Sequence, residues 1–126
     1  MIRVLHVYKT FYPDSFGGIE QTIKQLANGC KAHNIISEVF TLSPNPQPTR
    51  FESSGINVNQ ARTNFEISST PFSAEAFGKF RELSQFFDLI HYHYPFPFGD
   101  LIGLVSGKSK PSIITYHSDI VGQRWL

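Results

Sequence analysis

The feature that narrows the fold most is the opening run Ile2, Val4, Leu5, Val7 and Tyr8, interrupted only by Arg3 and His6. A strand with one wet face alternates apolar and polar side chains. A strand covered on both faces does not, because each successive side chain enters a packed layer. The run therefore predicts a strand over Ile2–Tyr8 within a parallel sheet. Directly behind it stands "FYPDSFGGIE" (11–20), which holds a proline, three aromatics and two adjacent glycines. A helical pattern then covers Ile19–Ala32. Its apolar residues, Ile19, Ile23, Leu26, Ala27 and Cys30, recur at helical spacing, and Lys24, Gln25, Asn28 and Lys31 fall largely on the other side.

The same alternation continues along the chain. Ile36–Leu42 reads as a second strand, and "SPNPQPT" (43–49), with three prolines, reads as an exposed loop. Ile56–Ala61 is a weaker third strand, followed by a polar stretch around "TNFEISST" with no element assigned. Ser73 can cap a helix running to about Phe87, with Ala76, Phe77, Phe80, Leu83 and Phe87 on one stripe. Asp88–Tyr92 is a fourth strand, Asp100–Ser106 a short helix, and Ser112–Tyr116 a fifth strand. Strands alternating with helices imply right-handed βαβ units, hence one Rossmann-like α/β domain with a five-stranded parallel sheet. "HSDIVGQRWL" opens like a loop entering a helix capped by Ser118 or Asp119. Its apolar residues Ile120, Val121, Trp125 and Leu126 are left without an element, as expected of a partial domain.

Bulk properties exclude several classes. A chain of 126 residues suffices for one core and buries roughly two thirds of the surface it exposes when unfolded. A formal net charge of +1 gives no electrostatic reason to bind nucleic acid. One cysteine, Cys30, cannot form an intrachain disulfide framework, and it is expected as inert core on the apolar helix stripe. The start lacks the pattern of a secretory leader, and no window reaches the roughly 18–20 apolar residues of a membrane span. A cytoplasmic domain is the expectation. Twelve Phe, five Tyr and one Trp exceed what core filling usually requires, so some are candidates to face a partner or an acceptor. Phe96 and Phe98, in the loop "PFPFG", are the first candidates.

In an open parallel sheet, ligands bind at the carboxyl ends of the strands. Three segments converge there: Lys9–Gly18 after the first strand, "HYPFPFG" (93–99) after the fourth and "YHSD" (116–119) after the fifth. Gly17 and Gly18 either make a tight turn or let the backbone approach an anion at the helix start. If they hold a phosphate, Glu20 should turn away from it. The dinucleotide fingerprint G-x-G-x-x-G is absent, and "GLVSGKS" (103–109) has P-loop character but the wrong spacing and the wrong place before a strand. It reads as a helix terminator with exposed lysines. His91 and His93 share a strand face, with His117 and Asp119 close behind the next strand. This set admits a metal site, a ligand site or hydrogen-bonded histidines of the sheet layer. His6 and His33 read as structural or solvent-facing.

Three stretches, "MIRVLHVYKTFYPDSFGGIEQTIKQLA", "TPFSAEAFGKFRELSQFFDLIHYHYPFPFGDL" and "PSIITYHSDIV", together resemble the N-terminal domain of retaining GT-B glycosyltransferases of family four, also called group one. The first is similar to the family's strand–loop–helix with G-G-x-E, the second to its helix, its D-[LIV]-[IV]-H-x-H strand and its Pro-containing loop, the third to its next strand ending in an aromatic–His pair. The resemblance implies a two-domain enzyme whose N-terminal half mainly holds the acceptor. It implies that Gly17 and Gly18 approach the donor diphosphate, that His117 sits beside the transferred sugar, and that Tyr12, Phe16, His93 and Tyr94 line the acceptor pocket. It implies a sugar nucleotide and a glycan or lipid-linked acceptor as substrates and no metal or other cofactor. It leaves room for a homodimer and for peripheral association with the inner face of the membrane. The family's C-terminal donor domain, with its E-x7-E signature, has no counterpart in these residues, so the chain alone is expected to be inactive. Two rival readings stay open: a metal-dependent hydrolase built on His91, His93, His117 and Asp119, and a flavodoxin-like binding module without chemistry.

Overall fold

The structure, a computed structural model, describes residues 1–106 and 110–117. The expected cap at Ser118 or Asp119, and the helix behind it, lie outside the described residues. The order of elements is β1 (Ile2–Val7), α1 (Gly18–Cys30), β2 (Ile35–Ser43), β3 (Phe51–Ser53), β4 (Ile56–Arg62), β5 (Phe65–Ile67), β6 (Thr70–Phe72), α2 (Ala76–Ser84), β7 (Leu89–Tyr94), α3 (Pro97–Ser106) and β8 (Ser112–Tyr116).

Six strands form one sheet in the order β3-β4-β2-β1-β7-β8. The pairs β4–β2, β2–β1, β1–β7 and β7–β8 are parallel, and the edge strand β3 is antiparallel to β4. The sheet is the Rossmann-like α/β arrangement that the alternating patterns imply, enlarged by one strand. The addition comes from a tight hairpin. Ser53 pairs with Ile56 across a two-residue turn in which Ser54 and Gly55 both have positive φ, 57° and 80°. That turn matches the right-handed twist of the flanking strands.

A second hairpin, β5–β6, occupies the stretch around "TNFEISST" that carries no predicted element. Ile67 pairs with Thr70 around Ser68 and Ser69, whose φ values are 49° and 65°. Serine is an uncommon occupant of such a turn, because positive φ brings its Cβ close to the backbone. The usual Asn-Gly signal is therefore missing from the sequence. Phe65 stacks on Phe72 at 5.1 Å and stabilises the pair.

The helices differ modestly from their predicted spans. α1 begins at Gly18, and a 3₁₀ turn at Lys31–His33 ends at Asn34 in the left-handed conformation (φ 61°), a common helix terminator. Ile23 and Ala27 are buried, but Leu26 is exposed and Cys30 only half-buried, so the apolar stripe is narrower than its spacing suggests. α2 covers only Ala76–Ser84. α3 starts three residues early, at Pro97, where a proline costs the helix no hydrogen bond.

The core lies between the sheet and its helices. Phe40 of β2 and Tyr92 of β7 meet Phe80 of α2. Gly103 of α3 sits so close to Tyr92 that an added Cβ would lie 2.8 Å from its hydroxyl. Phe96 and Phe98 are buried, contrary to the expectation that they face a ligand. Phe96 packs edge-on to Tyr8, and Phe98 joins Phe72 and Phe77. They enter the core because the chain folds into α3 immediately after β7, which turns loop aromatics into helix anchors.

An ion cluster around the buried Glu38 carboxylate ties the sheet's middle. Glu38 on β2 accepts hydrogen bonds from Arg50 Nη1 at 2.9 Å and Asn59 Nδ2 at 3.0 Å, with Arg3 Nη2 3.8 Å away. Among the described residues no helix is long and apolar enough to cross a membrane.

Candidate active site

The strand order brings the C-terminal ends of β1, β7 and β8 side by side. Val7 pairs with Tyr92, and Tyr94 pairs with Tyr116. The loop after β1 and the residue after β8 therefore share one rim of the sheet, as expected for ligand-binding segments of an open α/β domain. The His117 backbone N–H donates to the Tyr94 carbonyl at 2.9 Å, which extends the β7–β8 ladder by one residue and fixes His117 on that rim.

A cleft of about 730 Å³ opens beside β1, between the loop that leads into α1 and the β5–β6 hairpin. Gly17 and Gly18 lie on its wall with Lys9, Thr10, Glu20 and Glu66. Lys9 Nζ donates to the Ser69 carbonyl at 3.4 Å and links the two sides. The backbone does not demand a glycine at position 17, whose φ of −70° any residue can adopt. Space demands it: an added Cβ would lie 2.9 Å from Glu20 Oε1. At Gly18 an added Cβ would meet nothing within 4 Å.

Glu20 corrects an expectation. Its carboxylate does not turn away from the glycines but folds back against Gly17 and is buried. The Thr10 hydroxyl donates to Glu20 Oε2 at 2.8 Å, and the first turn of α1 is a favourable place for negative charge. Burial pushes the nearby Tyr8 phenol up to about 12, with the charge of Glu20 adding to the effect, so Tyr8 stays protonated. Among the described residues, the cleft wall thus carries one cation, Lys9, and three carboxylates, those of Asp14, Glu20 and Glu66.

The second half of the rim is an array of imidazoles. His6 aligns with His91 across β1–β7, and His91 and His93 alternate with Tyr92, so all three occupy the sheet face opposite Phe80 and α3. His6 Nδ1 is 2.9 Å from His93 Nε2, and His93 Nδ1 is 2.8 Å from His117 Nε2. His91 Nε2 pairs instead with Thr115 Oγ1 at 2.6 Å. Burial holds His6 down to about 3 and His93 to about 2, with neighbouring imidazoles adding to the effect, and it lowers His91 and His117 as well. The array is therefore neutral near pH 7.

His6, read from the sequence as structural or solvent-facing, is a buried member of this array. His93 is fully buried. Tyr12 is buried too, between Phe11 and Phe16, with Lys24 Nζ 5.6 Å from its ring centroid. Of this aromatic group, Phe16 presents the accessible ring. Tyr94 is half-buried, and burial pushes its phenol well above the usual range, with Asp100 contributing. None of Tyr12, Phe16, His93, Tyr94 or His117 is on the cleft wall. Asp119, the carboxylate of the hydrolase reading, lies outside the described residues.

A ring nitrogen from each of His6, His91 and His93 lies within 4.8 Å of the others. A metal ion must lie near the plane of each imidazole it binds, because the lone pair lies in that plane. His91 and His93 stack at 4.1 Å with only 20° between their planes, and His6 is tilted 32° and 28° from them. Rings stacked in this way do not converge on one ion.

A Rossmann-like α/β domain whose strand-end loops gather on one rim of the sheet is the fold of a GT-B N-terminal domain. The chain belongs to Glycosyltransferase Family 4, whose model matches residues 16–126. It is 46% identical over 127 aligned residues to the O-antigen chain mannosyltransferase C of Escherichia coli, and 45% identical over 125 to the D-rhamnosyltransferase WbpZ of Pseudomonas aeruginosa. Each alignment covers 99% of this chain but only 34% and 33% of the relative, so the chain spans about one third of their length.

Proposed function

We propose that this chain is the acceptor-side part of a retaining enzyme that moves a hexose from a sugar nucleotide to a glycan or lipid-linked acceptor. The bacterial relatives suggest an O-antigen-type polysaccharide as product and a mannosyl or rhamnosyl unit as the group transferred. The observation that carries the assignment of sides is the charge of the cleft. With Lys9 against Asp14, Glu20 and Glu66, its wall is a poor host for a diphosphate but well supplied with acceptors for sugar hydroxyls. Gly17 and Gly18 border this cleft; the Glu20 carboxylate occupies the space at Gly17, so Gly18, with open space around it, is the point at which the donor diphosphate can come close to the backbone. The cations that balance the leaving group come from the remainder of the enzyme.

In this reading His117 lies beside the transferred sugar. As the bond to the diphosphate breaks, the ring becomes oxocarbenium-like. An imidazole hydrogen-bonded to a sugar hydroxyl holds the ring in its reactive pose without acting as a base. The accessible Phe16 ring and Tyr94 complete the acceptor side. Helix N-termini and basic side chains neutralise the diphosphate, so no metal is needed. The enzyme works at the inner face of the membrane, where a lipid-linked acceptor is within reach.

The test uses the full-length protein with nucleotide-activated D-mannose or D-rhamnose and a lipid-linked glycan acceptor. The expected product is a glycan extended by one sugar with the donor's anomeric configuration, formed equally well with chelator present. Absence of transfer from either donor, or inversion at the anomeric carbon, would overturn the reading. His117→Ala should lower kcat about 10²–10³-fold with the fold intact, the scale of losing one preorganised contact.

A further inference from the structure

We propose that His6, His93 and His117 form one hydrogen-bonded relay that fixes the tautomer of His117, which makes His6 a positioning residue for the site at the end of β8. The relay follows from the geometry of three rings that are distant in sequence. His93 is fully buried and has both ring nitrogens engaged, Nε2 by His6 Nδ1 at 2.9 Å and Nδ1 by His117 Nε2 at 2.8 Å.

A neutral imidazole carries one N–H and one bare nitrogen, and each hydrogen bond between two imidazoles needs one of each. If His93 carries its proton on Nδ1, it donates to His117 Nε2, and its bare Nε2 must receive the Nδ1 proton of His6. All three rings are then Nδ1-protonated. If His93 carries its proton on Nε2, it donates to His6 Nδ1 and receives from His117 Nε2, and all three are Nε2-protonated. No mixed setting satisfies both hydrogen bonds. A mismatch would leave a buried donor or acceptor unpaired, or bring two N–H groups together.

The tautomers of the three histidines are therefore one variable. His117 spends its Nε2 on His93, which leaves Nδ1 as the nitrogen that can address a ligand. Whether Nδ1 donates or accepts is therefore tied to the tautomer of the ring at position 6, two residues from the start of the cleft wall at Tyr8. His91 is close by but outside the relay, since its Nε2 goes to Thr115. The relay stands on geometry alone. Its service to sugar transfer rests on the function proposed above.

The experiment is ¹⁵N nuclear magnetic resonance of the histidine rings in the full-length protein, in which protonated and bare ring nitrogens have well separated shifts. The wild-type protein should show His6, His93 and His117 in the same single tautomer. In His6→Phe, His117 should become a mixture of both tautomers while His91 is unchanged. If transfer activity is present, kcat should fall in His6→Phe in proportion to the fraction of His117 left in the competent tautomer, about twofold for an equal mixture, with KM unchanged.

Two different tautomers among the three wild-type rings would overturn the relay even if no variant folds. So would an unchanged His117 spectrum in a folded His6→Phe protein. Zinc bound in stoichiometric amount with all three rings shifted would overturn it as well. A relay present in an enzyme that transfers no sugar would leave the relay standing and remove the proposed function.

Discussion

Replacing Gly17 by alanine tests why a glycine stands at the cleft. The backbone at this position is ordinary, so the substitution carries no conformational strain. It reduces the freedom of the unfolded chain and on that account stabilises by about 0.4–1 kcal/mol. Against this, the new Cβ would sit 2.9 Å from Glu20 Oε1, and the carboxylate has to move. Moving it breaks the 2.8 Å hydrogen bond from Thr10, a bond to a charged group worth about 1.5–3 kcal/mol. The balance is a net loss of about 1–2 kcal/mol. In a Glu20→Ala background the obstacle is gone, and the same substitution should stabilise slightly. The two changes should therefore couple by about 1.5–3 kcal/mol in a double-mutant cycle. Native-state hydrogen exchange of the α1 amides reads the opening energy of this element within a larger protein. Equal effects of Gly17→Ala with and without Glu20 would show that the carboxylate does not rest on the glycine.

Arg50→Ala removes the shorter of the two cationic contacts to the buried Glu38 carboxylate, while Arg3 remains at 3.8 Å and Asn59 still donates. The expected loss is about 1 kcal/mol, since Arg50 is half exposed and its pair is screened, and thermal unfolding against the parent protein checks it. The pH dependence has a definite sign. His6 and His93 titrate at about 3 and about 2 in the folded protein, against 6.5 ordinarily, so the unfolded chain binds protons the folded one refuses. Their contribution is complete above pH 6.5 and is lost as the pH falls. Between pH 6.5 and 5.5 the two together should remove about 2 kcal/mol, measurable by chemical denaturation at the two values.

The parallel sheet was legible because its signal is local and redundant. Ile2–Tyr8 is nearly continuous in apolar residues, Ile36–Leu42 keeps Ile36, Val39, Phe40 and Leu42, and each is followed by a turn or helix pattern. The hairpins were not legible for a local reason as well. Ser68-Ser69 turns the chain without glycine, and Phe51–Ser53 is too short to show alternation. Gly17, Gly18 and His117 could be placed on the rim from strand order alone, because loops after parallel strands share one edge. Phe96 and Phe98 were misread because their environment depends on where α3 begins, and the prolines at 95 and 97 suggested a loop.

The two features that matter most at the site were invisible for a different reason: both are fixed by register and not by residue type. His6 stands beside His91 because Val4 pairs with Leu89, and His93 reaches His117 because Tyr94 pairs with Tyr116. Since successive strand residues point to opposite faces, a slip of one residue at either pairing would turn one partner to the other face and break the chain of imidazoles. The sequence contains the spacing H-x-H but no statement of what lies across the next strand. The same holds for Glu20, which faces the glycines because Thr10, ten residues earlier, ends on the same side of the loop. A histidine in the first strand is thus no more structural than one at the rim, once the sheet has aligned them. In the proposed relay, the second histidine of D-L-I-H-Y-H couples the tautomer of His6 on the first strand to that of His117 at the end of the last described one.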